Sequence, residues 1–326
     1  MHRRTLLTST LALAALSGRG AWAQNPARVA RVGWVTAQRE ASLTSYLAIV
    51  RASLADLGYI EGRNLALEFR YGDDVIERVP GLVDELTRLP VDVLVAQGDA
   101  ATSVKALGPK IPVVYVISGD PVSSGFAESL ARPQGNMTGI TFMAAEYNGK
   151  RLELLQELVP GLRRIAVIAN PEHPGEDLER RNVEERGRQL KLTTEYYPTP
   201  NLDTLQGAFR TIASSPPQAM LVFGDGFALQ NRRIIIDFAT GLRTPVISAW
   251  PAFAHSGAVC TYGPHLGESY RRLAHYVDRI LRGAKPADLP IERPSKTQTI
   301  VNLRAAKNLG LTVPPTLLAR ADEVIE

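Results

Sequence analysis

The stretch Asp92-Val93-Leu94-Val95-Ala96-Gln97-Gly98-Asp99 has a counterpart 126 residues later, Gln218-Ala219-Met220-Leu221-Val222-Phe223-Gly224-Asp225. In both, a short apolar run is followed by glycine and aspartate, a pattern that predicts a buried strand and a loop at its carboxyl end. Two further pairs of stretches recur 133 residues apart: 31–35 with 164–168, and 111–114 with 244–247. These echoes predict two lobes built on one plan.

Around the echoes, apolar runs of strand length alternate with amphipathic stretches of helical period. The first half predicts strands at 32–35, 65–70, 91–96 and 112–117, and helices at 42–57, 75–88 and 100–107. The second half predicts strands at 164–169, 193–196, 219–223 and 245–249, and helices at 176–190, 202–213 and 229–240. This alternation predicts an α/β fold with parallel sheets covered by helices on both faces.

The C-terminal part does not continue a simple tandem. It predicts a strong helix at 266–281, a proline-rich stretch and a last strand at 297–302. We expect the helix to return to the first lobe and the strand to the second, with crossings near Ile140, Tyr262 and Thr297. The resulting prediction is two Rossmann-like lobes joined by a three-crossing hinge. The N-terminal lobe would comprise 28–140 plus 263–296, and the C-terminal lobe 141–262 plus 297–326.

The first 23 residues have the three parts of an export signal. Arg3 and Arg4 are followed by an apolar core and then by Ala21-Trp22-Ala23, a small-residue cleavage site. The apolar run is shorter than the ~20 residues of a membrane span. The sequence therefore predicts a periplasmic protein cleaved near Ala23, and it leaves the general secretory and twin-arginine routes open.

Composition excludes some classes of partner. The chain has 37 Lys and Arg residues against 33 Asp and Glu, and three of the arginines would leave with the signal, so the mature chain is close to neutral. It has no basic cluster interleaved with aromatic residues, so we expect no nucleic-acid partner. Its single cysteine, Cys260, allows no disulfide within the chain. We expect a monomer stabilised by packing.

The ligand site is predicted from the strand positions, because ligands of parallel α/β sheets bind outside the carboxyl ends of the strands. Small and polar residues follow those ends, with aromatic residues near them. The candidate ligand-binding residues are Thr36, Gln38, Gly98, Asp99, Ser118, Gly119, Asp120, Phe142, Asn170, Asp225, Trp250 and Tyr262. Two lobes that face each other would enclose a ligand between these loops.

The chemistry of the loops favours a small ligand that carries a carboxylate. Helix N-termini follow several of the loops, and their free N–H groups suit a carboxylate. Asp99, Asp120 and Asp225 either cap helices and turns or accept hydrogen bonds from a ligand ammonium; one carboxylate can do both. Trp250 and Tyr262 are candidates for an aromatic wall.

Catalytic and metal motifs are absent from the sequence. There is no Gly-x-Ser-x-Gly elbow, no phosphate-binding loop ending in Gly-Lys-Ser/Thr and no histidine pair at metal-ligand spacing. His255 and His265 flank Tyr262 and are interpreted as surface or capping residues, with an approach to the cleft as the alternative. We expect no enzyme activity, no catalytic residue, no metal and no cofactor.

Several longer stretches resemble one family. They are 54–64, 119–122, 132–139, 150–160, 262–264, 283–290 and 302–326, and they span the mature chain in order. With them the chain resembles the ABC-transporter substrate-binding proteins of the tryptophan-binding type, which have the type I periplasmic binding fold. The resemblance implies a two-lobed receptor that closes on a small molecule and delivers it to an ABC permease in the inner membrane.

The chain departs from that family's pattern on the cleft loops. Asp99 replaces a small polar residue, Asp225-Gly226-Phe227 replaces Asp-Pro-Phe, and Ser256-Gly257 replaces Gly-Gly. The sequence therefore does not assign tryptophan as the ligand, and Asp99 favours a ligand that bears an amine. An amino acid or an aromatic acid is expected. The alternatives are a periplasmic sensor for a membrane signalling partner and an exported two-domain enzyme that uses Asp99 and Asp225.

Overall fold

The computed structural model describes residues 29–133 and 135–326. The signal peptide predicted over residues 1–23 lies outside them. Within the described residues the strands are β1 Ala30–Thr36, β2 Leu65–Tyr71, β3 Val93–Gln97, β4 Val113–Ile117, β5 Ala127–Ser129, β6 Arg132–Pro133, β7 Met137–Thr141, β8 Arg164–Ala169, β9 Thr193–Pro198, β10 Ala219–Val222, β11 Val246–Ser248, β12 Cys260–Pro264, β13 Thr297–Asn302 and β14 Glu323–Ile325.

The α-helices of the same residues are α1 Thr44–Asp56, α2 Val79–Arg88, α3 Ala100–Leu107, α4 Ala144–Leu158, α5 Glu176–Gln189, α6 Leu202–Ser214, α7 Gly226–Gln230, α8 Arg232–Gly241, α9 Pro251–His255, α10 Leu266–Leu281, α11 Leu303–Asn308 and α12 Pro315–Leu318. None of these helices has both the length and the apolar character that crossing a bilayer requires.

The first lobe is built on a parallel sheet with the strand order β2-β1-β3-β4-β7. Helices α1 and α10 pack together over one face, where Leu47, Leu54 and Leu273 bury their side chains. Helices α2 and α3 cover the other face with Val83 and Val104. Both faces are therefore apolar, which explains why the central strands β3, up to Ala96, and β4 are continuous apolar runs.

The second lobe is built on a sheet with the order β14-β13-β12-β11-β10-β8-β9. It is parallel except for β12 and β13, which pair antiparallel from Cys260 opposite Val301 to Pro264 opposite Thr297. The predicted parallel sheet is present, and this antiparallel pair is an exception that the sequence did not predict. The antiparallel pair results from the path of the chain. After β12 the chain leaves the second lobe and forms α10 on the first lobe, and it then returns as β13, which runs back alongside β12.

The chain passes between the lobes three times: between β7 and α4, between β12 and α10, and between Glu292 and β13. Helix α4 packs on the second lobe against α5 and β12. Glu292 still pairs with Ile140 of the first lobe, and β13 begins five residues later. The three connecting segments are adjacent, since the N–H of Thr141 donates to the carbonyl of Glu292 and the N–H of His265 donates to that of Lys296. This is the arrangement expected of a hinge.

Strand β7 and helix α4 were not predicted as elements. Helix α4 buries Asn148 and Arg151 on the face where apolar residues would show a helical period. Strand β7 contains Thr138, Gly139 and Thr141, which make its apolar character weak. The helix predicted at 229–240 is two helices, α7 and α8, divided at Asn231.

Candidate ligand-binding cleft

A cavity of about 620 Å³, which includes its opening to solvent, lies between the lobes at the carboxyl ends of both sheets. Its polar side chains are Thr36, Gln38, Gln97, Asp99, Ser118, His173 and Asp225, and its larger apolar ones are Leu43, Tyr46, Val116, Phe142, Leu229, Trp250, Leu266 and Tyr270.

The structure brings eight of the twelve candidate residues to this cavity. They are Thr36, Gln38, Gly98, Asp99, Ser118, Phe142, Asp225 and Trp250. Six come from the first lobe or the segment that leaves it, and Asp225 and Trp250 come from the second. A ligand in the cavity would therefore touch both lobes at once.

The other four candidates lie outside the cavity lining. Gly119 contacts the other lobe, since a Cβ built on it would lie 2.1 Å from the carbonyl oxygen of Pro174. Asp120 forms a turn, accepting from the backbone N–H of Val122 at 2.8 Å.

Asn170 also stabilises its own loop, and its side-chain oxygen accepts from the N–H of Glu172 at 3.0 Å. Tyr262 packs edge-on against Tyr147 with ring centroids 5.9 Å apart, and its carbonyl accepts from Arg151. Proximity to a strand end placed these residues near the cleft, but local turns and packing direct their side chains elsewhere.

His173 is a cavity residue that the sequence analysis missed. It lies in the loop between β8 and α5 of the second lobe and is 7% exposed. Its Nδ1 is 2.9 Å from Asp99 Oδ1 and its Nε2 is 2.6 Å from Ser118 Oγ, both in the first lobe. The available signal was its position, three residues beyond Asn170 in a loop already expected to face the ligand.

The imidazole of His173 is surrounded by carboxylates. Burial by itself would lower its pKa, but the hydrogen bond to Asp99 and the negative charges of Asp99, Asp225 and Glu179 outweigh burial and raise the pKa to about 9. At pH 7 the ring is therefore protonated, and both of its nitrogens donate.

The order of contacts Asp99–His173–Ser118 is that of a hydrolytic triad. In such a triad a neutral histidine takes the proton of the serine hydroxyl. A ring that is protonated at pH 7 has no free lone pair for that proton, so this cluster serves as a set of charged hydrogen-bond donors and acceptors.

Asp225 lines the cavity, and its two carboxylate oxygens differ in their partners. Its Oδ1 caps α7 by accepting from the N–H of Ala228 at 2.8 Å, whereas its Oδ2 is buried with no hydrogen-bond partner among the described residues. Burial raises the pKa of Asp225 to about 6, although the charge of His173 opposes the rise. The side chain is 2% exposed, and an unpaired buried oxygen of this kind costs stability unless a ligand supplies a donor.

Gln38 provides a second acceptor of the same kind. Its Oε1 is buried and lacks a partner in the described part of the chain. The amide lies close to Gly226 of the second lobe, and Asp99 Oδ2 lies near the same glycine. These three side chains, Gln38, Asp99 and Asp225, form a group of acceptors that we call the acceptor group.

Aromatic rings form the apolar part of the cavity. Phe142 and Trp250 meet edge to face with centroids 5.4 Å apart, and Tyr46 stacks on Tyr270 at 4.8 Å. Gln97 fixes Tyr270, because its amide donates to the phenol oxygen at 2.8 Å. The cavity thus combines hydrogen-bonding side chains with rings suited to an aromatic or apolar ligand side chain.

Residues 39–325 match the model of a protein family described as ABC transporter substrate binding protein. The chain belongs to this family. Most of the described residues fall within the match, including both lobes and all of the cavity's polar side chains except Thr36 and Gln38. The two lobes and their parallel sheets have the type I periplasmic binding fold, as the resemblance implied.

Relatives of this binding protein are distant in sequence and similar in fold. A tyrosine-binding protein of Clostridioides difficile strain R20291 is 21% identical over 271 residues, which cover 79% of this chain and 74% of that protein. The structure of an ABC domain in complex with L-Trp from Streptococcus pneumonia has a TM-score of 0.84 at 21% identity, covering 91% of this chain and 99% of that one. A conserved domain protein from Vibrio cholerae has a TM-score of 0.85 at 22% identity, covering 91% of this chain and 100% of that one.

Proposed function

We propose that this protein is the exported receptor of an ABC importer, and that it captures an amino acid with an aromatic or large apolar side chain between its two lobes. The observation that carries the proposal is a pair of buried side-chain oxygens, Oδ2 of Asp225 and Oε1 of Gln38, that have no hydrogen-bond partner among the described residues. Both residues line the same cavity, together with aromatic rings. A ligand ammonium would supply the donors that both oxygens lack.

The two kinds of lining residue match the two ends of such a ligand. The acceptor group suits the ammonium, since charged hydrogen bonds to carboxylates are among the stronger ones. The Phe142–Trp250 and Tyr46–Tyr270 ring pairs suit an aromatic side chain. Relatives named for tyrosine and solved with L-Trp support the same class of ligand.

Contacts between the lobes support a capture mechanism in which the lobes close over the ligand. His173 reaches Asp99 and Ser118 across the cleft, and the amide of Gln230 donates to Asp74 at the rim. A ligand that touches both lobes would stabilise this closed arrangement over an open one, and such a population shift is how hinged receptors respond to their ligands.

The remaining parts of the proposal concern place and partner. The signal-like N-terminus supports export and a periplasmic location. Membership of the ABC transporter substrate-binding family supports an inner-membrane permease as the partner that accepts the ligand. We propose that the protein works as a monomer.

A thermal-unfolding screen of the purified mature chain tests the ligand class. L-Tyrosine, L-tryptophan and L-phenylalanine should raise Tm, because a ligand bound only by the native state stabilises it. The matched deaminated acids, which lack the ammonium, should raise it less, and D-glucose should leave it unchanged. If the deaminated acids stabilise as well as the amino acids do, or if only sugars stabilise, the proposal is wrong.

A further inference from the structure

Among the described residues that line the cavity, acidic side chains outnumber basic ones. Two acidic side chains, Asp99 and Asp225, line it, and among the described lining residues His173 is the single basic one; no lysine or arginine of that part of the chain takes part. An amino acid carries one negative group as well as one positive group. Its carboxylate needs hydrogen-bond donors. Because the site has few donors, the position of the one cationic ring determines where the carboxylate can bind.

The hydrogen bonds of His173 determine the role of Ser118. When the ring is protonated, Nε2 donates to Ser118 Oγ at 2.6 Å and Nδ1 donates to Asp99 Oδ1 at 2.9 Å. A hydroxyl that accepts such a bond keeps its own hydrogen free to donate elsewhere. Ser118 lines the cavity, so this hydrogen is available to a ligand.

We propose that His173, in its protonated form, is the counter-charge for the carboxylate of the ligand and acts on it through the hydroxyl of Ser118, so that the site selects amino acids over the corresponding amines. The inference rests on the proposed function and specifies how the same site recognises its ligand. His173 is in this sense a positioning residue, since the atom that meets the carboxylate is Ser118 Oγ.

The position of His173 also ties recognition to closure. The ring belongs to the second lobe, between β8 and α5, whereas Ser118 follows β4 and Asp99 follows β3 of the first. Both hydrogen bonds therefore exist only while the lobes are together, and the donor at Ser118 is oriented only then. The carboxylate site is completed by the same movement that encloses the ligand.

The groups around the ring keep it charged. Asp99 faces it from the first lobe, Asp225 from the loop before α7, and Glu176 and Glu179 from α5. Glu179 in turn faces the charge of Arg151. Because four acidic groups surround a single imidazole, the positive charge persists at neutral pH, and a carboxylate at Ser118 meets that charge across one hydroxyl.

The inference is tested by binding of matched ligand pairs to the wild type and to His173→Gln. The pairs are L-tyrosine with tyramine and L-tryptophan with tryptamine, measured by calorimetry at pH 7. In each pair the amine lacks only the carboxylate. For the pair that the wild type binds, we expect the Kd of the amino acid to rise about 10- to 100-fold in the variant, the usual effect of losing a charged hydrogen-bond partner. The Kd of the amine should change by less than about threefold or should fall, because two carboxylates remain in the site.

A comparable loss of affinity for amino acid and amine in His173→Gln would overturn the inference while leaving the proposed function intact. Failure of the wild type to bind either amino acid would overturn both. Ser118→Ala gives a second test with the same expected pattern, and it serves alone if His173→Gln does not fold. His255→Gln is the matched control, since His255 is exposed on α9, outside the cavity lining, and it should alter neither affinity.

Discussion

Two glycines, Gly139 and Gly119, have nearly the same close approach to a carbonyl, one inside a lobe and one between the lobes. A Cβ on Gly139 of β7 would lie 2.0 Å from the carbonyl oxygen of Tyr115 on the neighbouring strand β4. A Cβ on Gly119 would lie 2.1 Å from the carbonyl oxygen of Pro174 in the other lobe. The first contact exists whenever the lobe is folded, whereas the second exists only when the lobes are closed.

The difference separates the residues that determine stability from those that determine affinity. Contacts within a lobe contribute to the free energy of unfolding with or without ligand. In the capture mechanism proposed above, contacts between the lobes contribute to the equilibrium between open and closed forms, and therefore to Kd. A substitution at a contact of only one kind should therefore change stability or Kd but not both. Asp225, which caps α7 within its lobe and also lines the cavity, should change both.

The largest effect is expected for Gly139→Ala. The added methyl group must displace the backbone of β4, and overpacking of this kind costs about 3 kcal/mol or more when backbone has to move. Urea unfolding without ligand should show the loss, or the variant should fail to fold. Gly81→Ala is the control, since a Cβ there meets nothing within 4 Å. A Gly139→Ala variant as stable as wild type would show that this close approach within the lobe does not limit stability.

Gly119→Ala should instead weaken binding. The methyl group opposes closure against Pro174, so Kd for the best-bound amino acid should rise on the order of 10- to 100-fold. Ligand-free stability should change by less than about 1 kcal/mol, since the lobes can stay apart. Small-angle scattering with saturating ligand should show a more open particle than wild type. An unchanged Kd together with lowered ligand-free stability would show that Gly119 determines stability rather than affinity.

Asp225→Asn should lower the affinity for amino acids and raise the ligand-free stability at pH 7. The amide oxygen still caps α7, but the charged acceptor for the ligand ammonium is lost, and amino-acid affinity should fall about tenfold or more. The raised pKa of about 6 means that the buried carboxylate binds its proton more tightly than in the unfolded chain, where the value is 3.8. Ionising it therefore lowers the stability of the wild type as pH rises from about 4 to 6.

The variant should accordingly be more stable than wild type at pH 7 by on the order of 1 kcal/mol, and this advantage should shrink towards pH 4. Ligand-free thermal unfolding across that range measures it. A variant less stable than wild type at pH 7 would show that the charge of Asp225 stabilises the fold, and the separation of roles at this residue would be wrong.

The smallest effect is expected at the rim, for Gln230→Ala. The amide donates to Asp74 across the mouth of the cleft, and Asp74 also pairs with Arg39 at 2.6 Å. Because half-exposed polar contacts contribute little, less than about 1 kcal/mol, Kd should rise by less than about threefold and ligand-free Tm should not change. A larger loss of affinity would mean that closure depends on the rim as much as on the cavity.

The α/β fold was predictable because its signals are local. Strand β13 and helices α3 and α10 begin and end where their apolar patterns do, and the echo at an offset of 126 residues gave the two-lobed plan. Helix α4 was missed because its buried face carries Arg151 and Asn148. Arg151 donates to the carbonyl of Tyr262 and Asn148 donates to Glu179. Because these partners are distant in sequence, no local pattern indicates that the two polar side chains are buried.

The candidate site was predictable in part for the same reason. The rule that ligands bind beyond the carboxyl ends of parallel strands led to Asp99, Ser118 and Asp225 from strand positions alone. It gave no means of distinguishing them from Asp120, whose carboxylate makes a local turn.

By itself, then, the amino-acid sequence determined the two lobes, their sheets and the loops that face each other, because the periods of strands and helices depend on the spacing of apolar residues that are close in sequence. Only the tertiary structure decided which side chains meet. His173, Asp99 and Ser118 are separated by up to 74 residues along the chain, and their contact depends on two lobes coming together. No local sequence pattern indicates which residues of the two lobes lie close together. The charge of His173 and the unpaired oxygen of Asp225 could therefore be identified only from the folded structure.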